Sequence, residues 1–131
     1  MATISRFEDL DICKEARALC KTIYQISNRS PFAQDFSLKD QIRRSSGSVM
    51  DNIAEGFERS GNGEFIQFLS IAKGSLGEVQ SQLYRSFDQN YVSQEELDIL
   101  TGQIKRIGGG TMKLMNYLRN CEIKGIKFKK D

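Results

Sequence analysis

The side chains best equipped for acid–base chemistry in this chain are Arg43, Arg44, Asp51, Glu55, Arg59, Glu64, Lys73 and Glu78, because carboxylates set beside cations tune one another's pKa. The same residues serve equally well as a network of ion pairs and caps between helices or subunits, fixing register and orientation. Histidine is absent, which removes the commonest general base near neutral pH and the commonest metal ligand. Glu55, Glu64 and Glu78 could meet a divalent cation, but their spacing matches no loop site. Gly108-Gly109-Gly110-Thr111 lacks the lysine pattern and preceding strand of a phosphate loop. The expectation is a protein without catalytic residues, metal or cofactor.

Positive charge is the second chemical resource. After Leu100 the chain carries Lys105, Arg106, Lys113, Arg119, Lys124, Lys127, Lys129 and Lys130 against Glu122 and Asp131, a net of six positive charges. The whole chain has a net charge of +2, so residues 1–100 are acidic by four. Phosphate neutralisation needs only positioned cations, which makes those eight residues the candidate nucleic-acid contacts. Tyr117 and Phe128 are interleaved with them and could stack on bases. A solvated face explains the same charges without a partner, and both readings stay open.

These residues need rods to hold them. Ile12, Ala16, Leu19, Ile23 and Ile26 alternate by four and three, predicting a first helix that ends near Asn28. The second helix runs to about Arg59 with Leu38, Ile42, Val49, Ile53 and Phe57 inward. The third runs to about Asp88 with Phe65, Leu69, Ala72, Leu76, Val79 and Leu83 inward. The fourth carries Leu97, Leu100, Ile104, Ile107, Thr111, Leu114 and Leu118. Ser5 with Glu8, Ser37 with Asp40 and Ser93 with Glu96 are the expected helix starts. Pro31, the SGNG stretch and the QNYVS stretch fall in the connections. Long rods on short loops predict an all-α, antiparallel up-down-up-down four-helix bundle, a single domain over 1–131 with a basic tail from about 121. Gly108 to Gly110 sit inside the fourth helix at about 1 kcal/mol each against alanine, so close packing or a bend is expected there.

Helices two and three carry more small and apolar surface than one core uses. Gln41, Ser45, Ser48, Asn52, Glu55 and Arg59 form a polar stripe beside the apolar face of the second helix. Gly47, Met50 and Ala54 form a third surface opposite that stripe. Ile66, Gly77 and Tyr84 fall off the seam of the third. A second burial partner, another copy of the chain, is the economical reading. Ser45, Ser48, Asn52 and Gly56 read as a groove floor that admits a neighbouring backbone, either for packing or for a ligand.

The three cysteines fit a reducing compartment: Cys13 and Cys20, seven residues apart, would lie about 10 Å apart along a helix, too far for a disulfide. The start MATISRFEDL has no basic segment followed by an apolar run, and no apolar stretch reaches membrane-spanning length. A cytoplasmic protein with no membrane partner is expected.

Gln41, Arg43, Arg44, Ser45, Ser48, Asn52-Ile53-Ala54-Glu55-Gly56, Arg59, Glu64-Phe65, Phe68-Leu69, Ala72, Gly74-Ser75 and Glu78 together form a specific pattern. With it the chain resembles the four-helix-bundle proteins encoded by intervening sequences inserted in bacterial 23S ribosomal RNA genes. Phe7, Leu10, Ala16 and Ser37-Leu38 extend the likeness more loosely over nearly the whole chain. The resemblance implies an antiparallel four-helix bundle, assembly into a ring-like homopentamer, and no established enzymatic activity. The motif residues, with Lys73, are then expected in structural or interface roles. The architecture is also similar to the accessory proteins of diversity-generating retroelements, which bind nucleic acid and a reverse transcriptase, a likeness of fold only. The functional expectation is an RNA- or nucleic-acid-associated accessory factor; the alternative is a protein-interaction scaffold.

Overall fold

The computed structural model describes residues 4–121, so Lys124, Lys127, Lys129, Lys130 and Phe128 lie outside the described residues. Four long helices form the fold: α1 Asp11–Ser27, α2 Phe36–Glu58, α3 Asn62–Asp88 and α4 Gln94–Asn120. Two short 3-10 turns, Phe7–Asp9 and Phe32–Gln34, precede α1 and α2, and no strand occurs among the described residues. The all-α four-helix fold expected from the periodicity is what the structure shows.

One core runs the length of the bundle. Every inward residue expected on α1, α2 and α3 is buried, with Phe65, Leu69, Leu83, Ile42, Ile53, Leu19 and Ile23 completely enclosed. Contacts between neighbouring helices pair ascending with descending numbers: Gln41 with Arg85, Ser45 with Gln82 and Ser48 with Ser75 join α2 to α3. Gln80 with Thr101 and Lys73 with Met112 join α3 to α4 in the same sense. Arg29 meets Glu96 at one end of the α1–α4 contact, and Ile12 meets Gly110 toward the other. The buried hydroxyls of Ser27, Ser46, Ser86 and Thr111 return to carbonyls of their own helices, Thr111 to that of Ile107 at 2.7 Å.

The helix starts follow the expected chemistry only at α4. There Ser93 Oγ accepts from the Glu96 backbone N–H while the Glu96 carboxylate accepts from the Ser93 N–H, a complete capping box. Ser37 does not cap α2; Asp35 does, accepting from the Leu38 N–H at 3.2 Å, and Ser37 lies within the helix accepting from Gln41 Nε2. Ser5 does not cap α1 either. The 3-10 turn intervenes, Glu8 and Asp9 face Arg6, and α1 begins after Leu10 without a side-chain cap. Near the C-terminal end of α4, Met115 takes the buried place expected for Leu114, which is only half-buried.

The glycine run does not interrupt α4. A Cβ on Gly110 would stand 2.7 Å from Ile12 Cγ2, so this glycine lets α1 and α4 approach closely, whereas one on Gly109 would meet no atom within 4 Å. Close packing is therefore the role of Gly110.

At the end of the bundle where α1 passes to α2 and α3 to α4, the two connections are fastened together. Arg29 grips Glu96 with its two terminal guanidinium nitrogens at 2.8 and 3.1 Å, Phe32 stacks on Tyr91 at 4.9 Å, and the Tyr91 hydroxyl donates to Asp35 at 2.9 Å. Asn90, beside Tyr91, takes a left-handed conformation with φ 63°, which asparagine tolerates better than most residues. The hydrogen bonds to Arg29 hold the Glu96 carboxyl below its ordinary pKa, and the bond to Asp35 raises that of the Tyr91 phenol.

Candidate functional site

The polar stripe of α2 meets a matching stripe on α3. Phe68, Ser75 and Gln82 recur every seven residues on α3 and face α2. Ser45 Oγ donates to Gln82 Oε1 at 2.5 Å, and Ser48 and Ser75 share a hydrogen bond at 2.8 Å. Asn52 Nδ2 donates to the Ser48 carbonyl and hydroxyl at 2.8 and 2.9 Å. Gly56 ends the seam: a Cβ there would stand 2.7 Å from Phe68 Cβ and 2.9 Å from Phe65 Cδ1. The groove floor of the sequence is thus occupied by α3 of the same chain. Gln82 was not singled out from the sequence, although its seven-residue spacing from Ser75 was the signal that could have found it.

The charged motif residues separate into local groups. Arg59 pairs with Glu55 at 2.9 Å and Glu64 at 3.6 Å while its guanidinium lies 5.0 Å from the Phe68 ring centre, bracing the α2–α3 turn. Arg44 pairs with Asp40 at 2.9 Å. Arg43 turns the other way, to α1: it donates to Ser27 Oγ at 2.8 Å and the Tyr24 carbonyl at 3.3 Å and covers the Tyr24 ring at 4.2 Å. Lys73 donates to Met112 Sδ at 3.2 Å, and Gln41 accepts from Arg85 at 3.0 Å. Asp51 and Glu78 form no ion pair with the other motif residues. Glu78 instead borders a shallow groove of about 340 Å³ with Gln41, Arg44, Ser45, Ser48 and Gln82. The single network expected from the sequence is therefore a set of separate clamps, because successive charges on α2 point alternately toward α1, solvent and α3.

The thiols are sheltered. Burial raises the pKa of Cys13 and of Cys20, whose Sγ donates to the Ser46 carbonyl at 3.2 Å. Both behave as small core residues rather than nucleophiles. No group of three or more acidic or cysteine side chains is placed to share a metal ion among the described residues. No helix among them is long and apolar enough to cross a membrane.

On α4, Lys105, Arg106, Lys113 and Arg119 are all exposed on the side away from Ile104, Ile107, Thr111 and Leu118. None of the four forms an ion pair among the described residues; Arg119 donates to Asn116, one turn back. This separates them from Arg29, Arg44 and Arg59, each held by a carboxylate. The acids of α4 gather at its start, in Glu95, Glu96 and Asp98, leaving its second half cationic. Tyr117 is partly exposed near the C-terminal end of this face.

No curated protein matches the chain significantly. A crystal structure of a protein of unknown function from the S23 ribosomal protein family of Bacteroides thetaiotaomicron is similar, with a TM-score of 0.74 and 19% identity. The match covers 80% of this chain and 95% of that one, and at such identity the likeness is one of fold. The family model described as "23S rRNA-intervening sequence protein" matches residues 8–112. That span contains all of α1, α2 and α3, every α2–α3 motif residue and most of α4, and the chain belongs to the 23S rRNA-intervening sequence protein family.

Proposed function

We propose that this protein is a non-enzymatic, homo-oligomeric helical bundle that associates with RNA or other nucleic acid as a cytoplasmic accessory factor. Sequence-tolerant phosphate contacts come from the basic residues of α4 and the tail. The observation that carries the reading is the row of exposed, uncompensated cations Lys105, Arg106, Lys113 and Arg119, in a protein whose arginines elsewhere are largely engaged. Phosphates would replace water around these cations with little reorganisation, and the contacts would weaken with salt. A pentamer, as the resemblance implies, would repeat the face five times and strengthen the field. Exposed Tyr84 and half-buried Ala54 support self-association; Met50 and Ile66 support it less, being partly packed against the protomer's own core.

A gel-shift series with structured RNA at rising salt tests this function. Retarded complexes that dissolve as salt increases are expected, and the absence of salt-sensitive binding would overturn the proposal.

Phe36 and Tyr24, 74% and 53% exposed, favour the second reading, a protein-interaction scaffold. A stoichiometric protein partner that survives nuclease treatment in a pull-down would select it.

A further inference from the structure

We infer that the nucleic-acid backbone lies in the outer groove between α3 and α4, and that Lys73 of α3 is a phosphate contact set in line between Lys105 and Arg119. This rests on the nucleic-acid reading of α4 and deepens it, naming the track along the basic helix and a contact from a second helix. Lys105, Met112 and Arg119 recur every seven residues, so they share one stripe of α4 with about 10 Å between neighbours. The middle position of that stripe carries no charge of its own. Lys73 supplies one from across the groove, its ammonium 3.2 Å from Met112 Sδ. Thr101, one turn before Lys105, meets Gln80 of α3 at 3.1 Å, so the stripe borders α3 along its length. The result is a row of three cations over about 20 Å, two from one helix and one from the other.

All three side chains are exposed, and none forms an ion pair among the described residues. A thioether is a weak acceptor, so Met112 positions the Lys73 ammonium without neutralising it. Arg119 donates to the neutral Asn116, one turn back toward Met112. Acids are kept out of the groove where the row runs. From Thr101 to Asn120, α4 contains no Asp or Glu. Between Asn62 and Tyr84 the carboxylates of α3 are Glu64 and Glu78, and both turn toward α2: Glu64 pairs with Arg59, and Glu78 borders the groove with Gln41 and Arg44. Asp88 and Asp98 lie near the α3–α4 connection, beyond Lys105, and mark that end of the track. The surface beside the row is low. Gly77, four residues from Lys73, and Gly109, four from Lys105, would each meet no atom within 4 Å of an added Cβ, so a phosphate strand can approach the cations closely.

The other two cations of α4 are placed differently. Arg106 and Lys113 each follow the stripe by one residue, about 100° further round the helix. They flank Gly110, where α4 closes on Ile12 of α1. Asp11 and Glu15, four residues apart on one stripe of α1, lie on either side of Ile12 along that helix. Arg106 itself folds back along its own helix, its Nη1 3.6 Å from the place of a Cβ on Gly102. Carboxylates beside this second stripe oppose a phosphate there, whereas the row of Lys105, Lys73 and Arg119 has no such opposition.

The test measures binding of a structured RNA by fluorescence anisotropy over a salt series, using charge-matched variants of the full chain. Each lost phosphate contact lowers the slope of log affinity against log salt by about 0.7–0.9. Lys73→Gln should lose about that much, with roughly three- to tenfold weaker binding at low salt. Lys21→Gln, which removes an exposed lysine of α1, should keep nearly the parental values. The pair Lys105→Gln, Arg119→Gln should lose about 1.4–1.8 from the slope, and the pair Arg106→Gln, Lys113→Gln, with the same change in charge, less than half of that. Lys73→Arg should bind like the parent, and circular dichroism should show unchanged helix throughout. A Lys73→Gln variant that matches Lys21→Gln, or an Arg106, Lys113 pair that costs as much as the Lys105, Arg119 pair, overturns the groove track and leaves the α4 reading standing. A parent protein that binds the RNA in no salt-sensitive way removes the α4 reading and this inference together.

Discussion

Ser48 Oγ and Ser75 Oγ lie 2.8 Å apart across the α2–α3 contact, and Asn52 Nδ2 reaches the same Ser48 hydroxyl at 2.9 Å. The family motif is therefore built around a small polar seam inside one protomer, where an aliphatic pair would have provided packing without fixing the register of the two helices. Hydroxyls at such a contact lose water on folding and depend on each other for satisfaction.

Replacing Ser75 with alanine leaves Ser48 with Asn52 as its remaining side-chain partner and should lower stability by about 0.5–1.5 kcal/mol. Ser48→Ala should cost more, because Asn52 also loses an acceptor. Urea denaturation of both single variants and the double variant measures the coupling; strictly additive losses would show that the pair contributes no mutual stabilisation.

Gly56, Gly110 and Gly109 should respond differently to alanine. At Gly56 the new Cβ meets Phe68 Cβ and Phe65, and at Gly110 it meets Ile12 Cγ2, so overpacking of about 1–3 kcal/mol opposes a helix-propensity gain of about 1 kcal/mol. Both variants should melt lower than the parent, Gly56→Ala most of all. Gly109→Ala meets no neighbour and should melt higher. Thermal unfolding checks the order, and a stabilising Gly56→Ala would contradict the tight seam.

How much of this was legible beforehand depends on the residue. The inward stripes of α1, α2 and α3 could be read directly, because burial repeats with the helix period over many turns. Leu114 was misplaced for Met115 because a strict three-four alternation averages 3.5 residues per turn, and a straight helix drifts about 20° from it every heptad. The cap of α2 was missed because Asp35 and Ser37 are both good capping residues, and the preceding turn, Phe32–Gln34, decides between them. Arg43 was grouped with the acids by sequence proximity, whereas its position on the wheel sends it to Tyr24 and Ser27. The Gln82 and Arg85 partners of the motif come from α3, and only the fold shows which polar side chains of two helices meet.

The Arg29–Glu96 pair should make stability pH-dependent on the acid side. The hydrogen bonds from Arg29 lower the folded-state pKa of Glu96, so its contribution is present above the ordinary glutamate range and is lost as pH falls through the lower folded value. Both side chains are partly solvated, which limits the effect to about 1 kcal/mol or less. Glu96→Gln should flatten the decline in stability below about pH 5. An unchanged acid profile would show that the pair contributes no linkage.

Ala54→Lys places a charge on the α2 surface beside Gly47, Met50 and Asp51, away from the core seam. If copies of the chain meet there, multi-angle light scattering should give a smaller particle for the variant than for the parent. Equal masses would place the interface elsewhere, and a monomeric parent at high concentration would remove self-association altogether.

The most direct test of the central claim is the salt dependence of RNA binding by the parent and by the variant with Lys105, Arg106, Lys113 and Arg119 changed to glutamine. The account predicts affinity that falls steeply with salt for the parent, and a variant that binds more weakly with a shallower slope by up to about 3 to 4, near 0.9 for each phosphate contact removed. Identical slopes and affinities for the two proteins would contradict it.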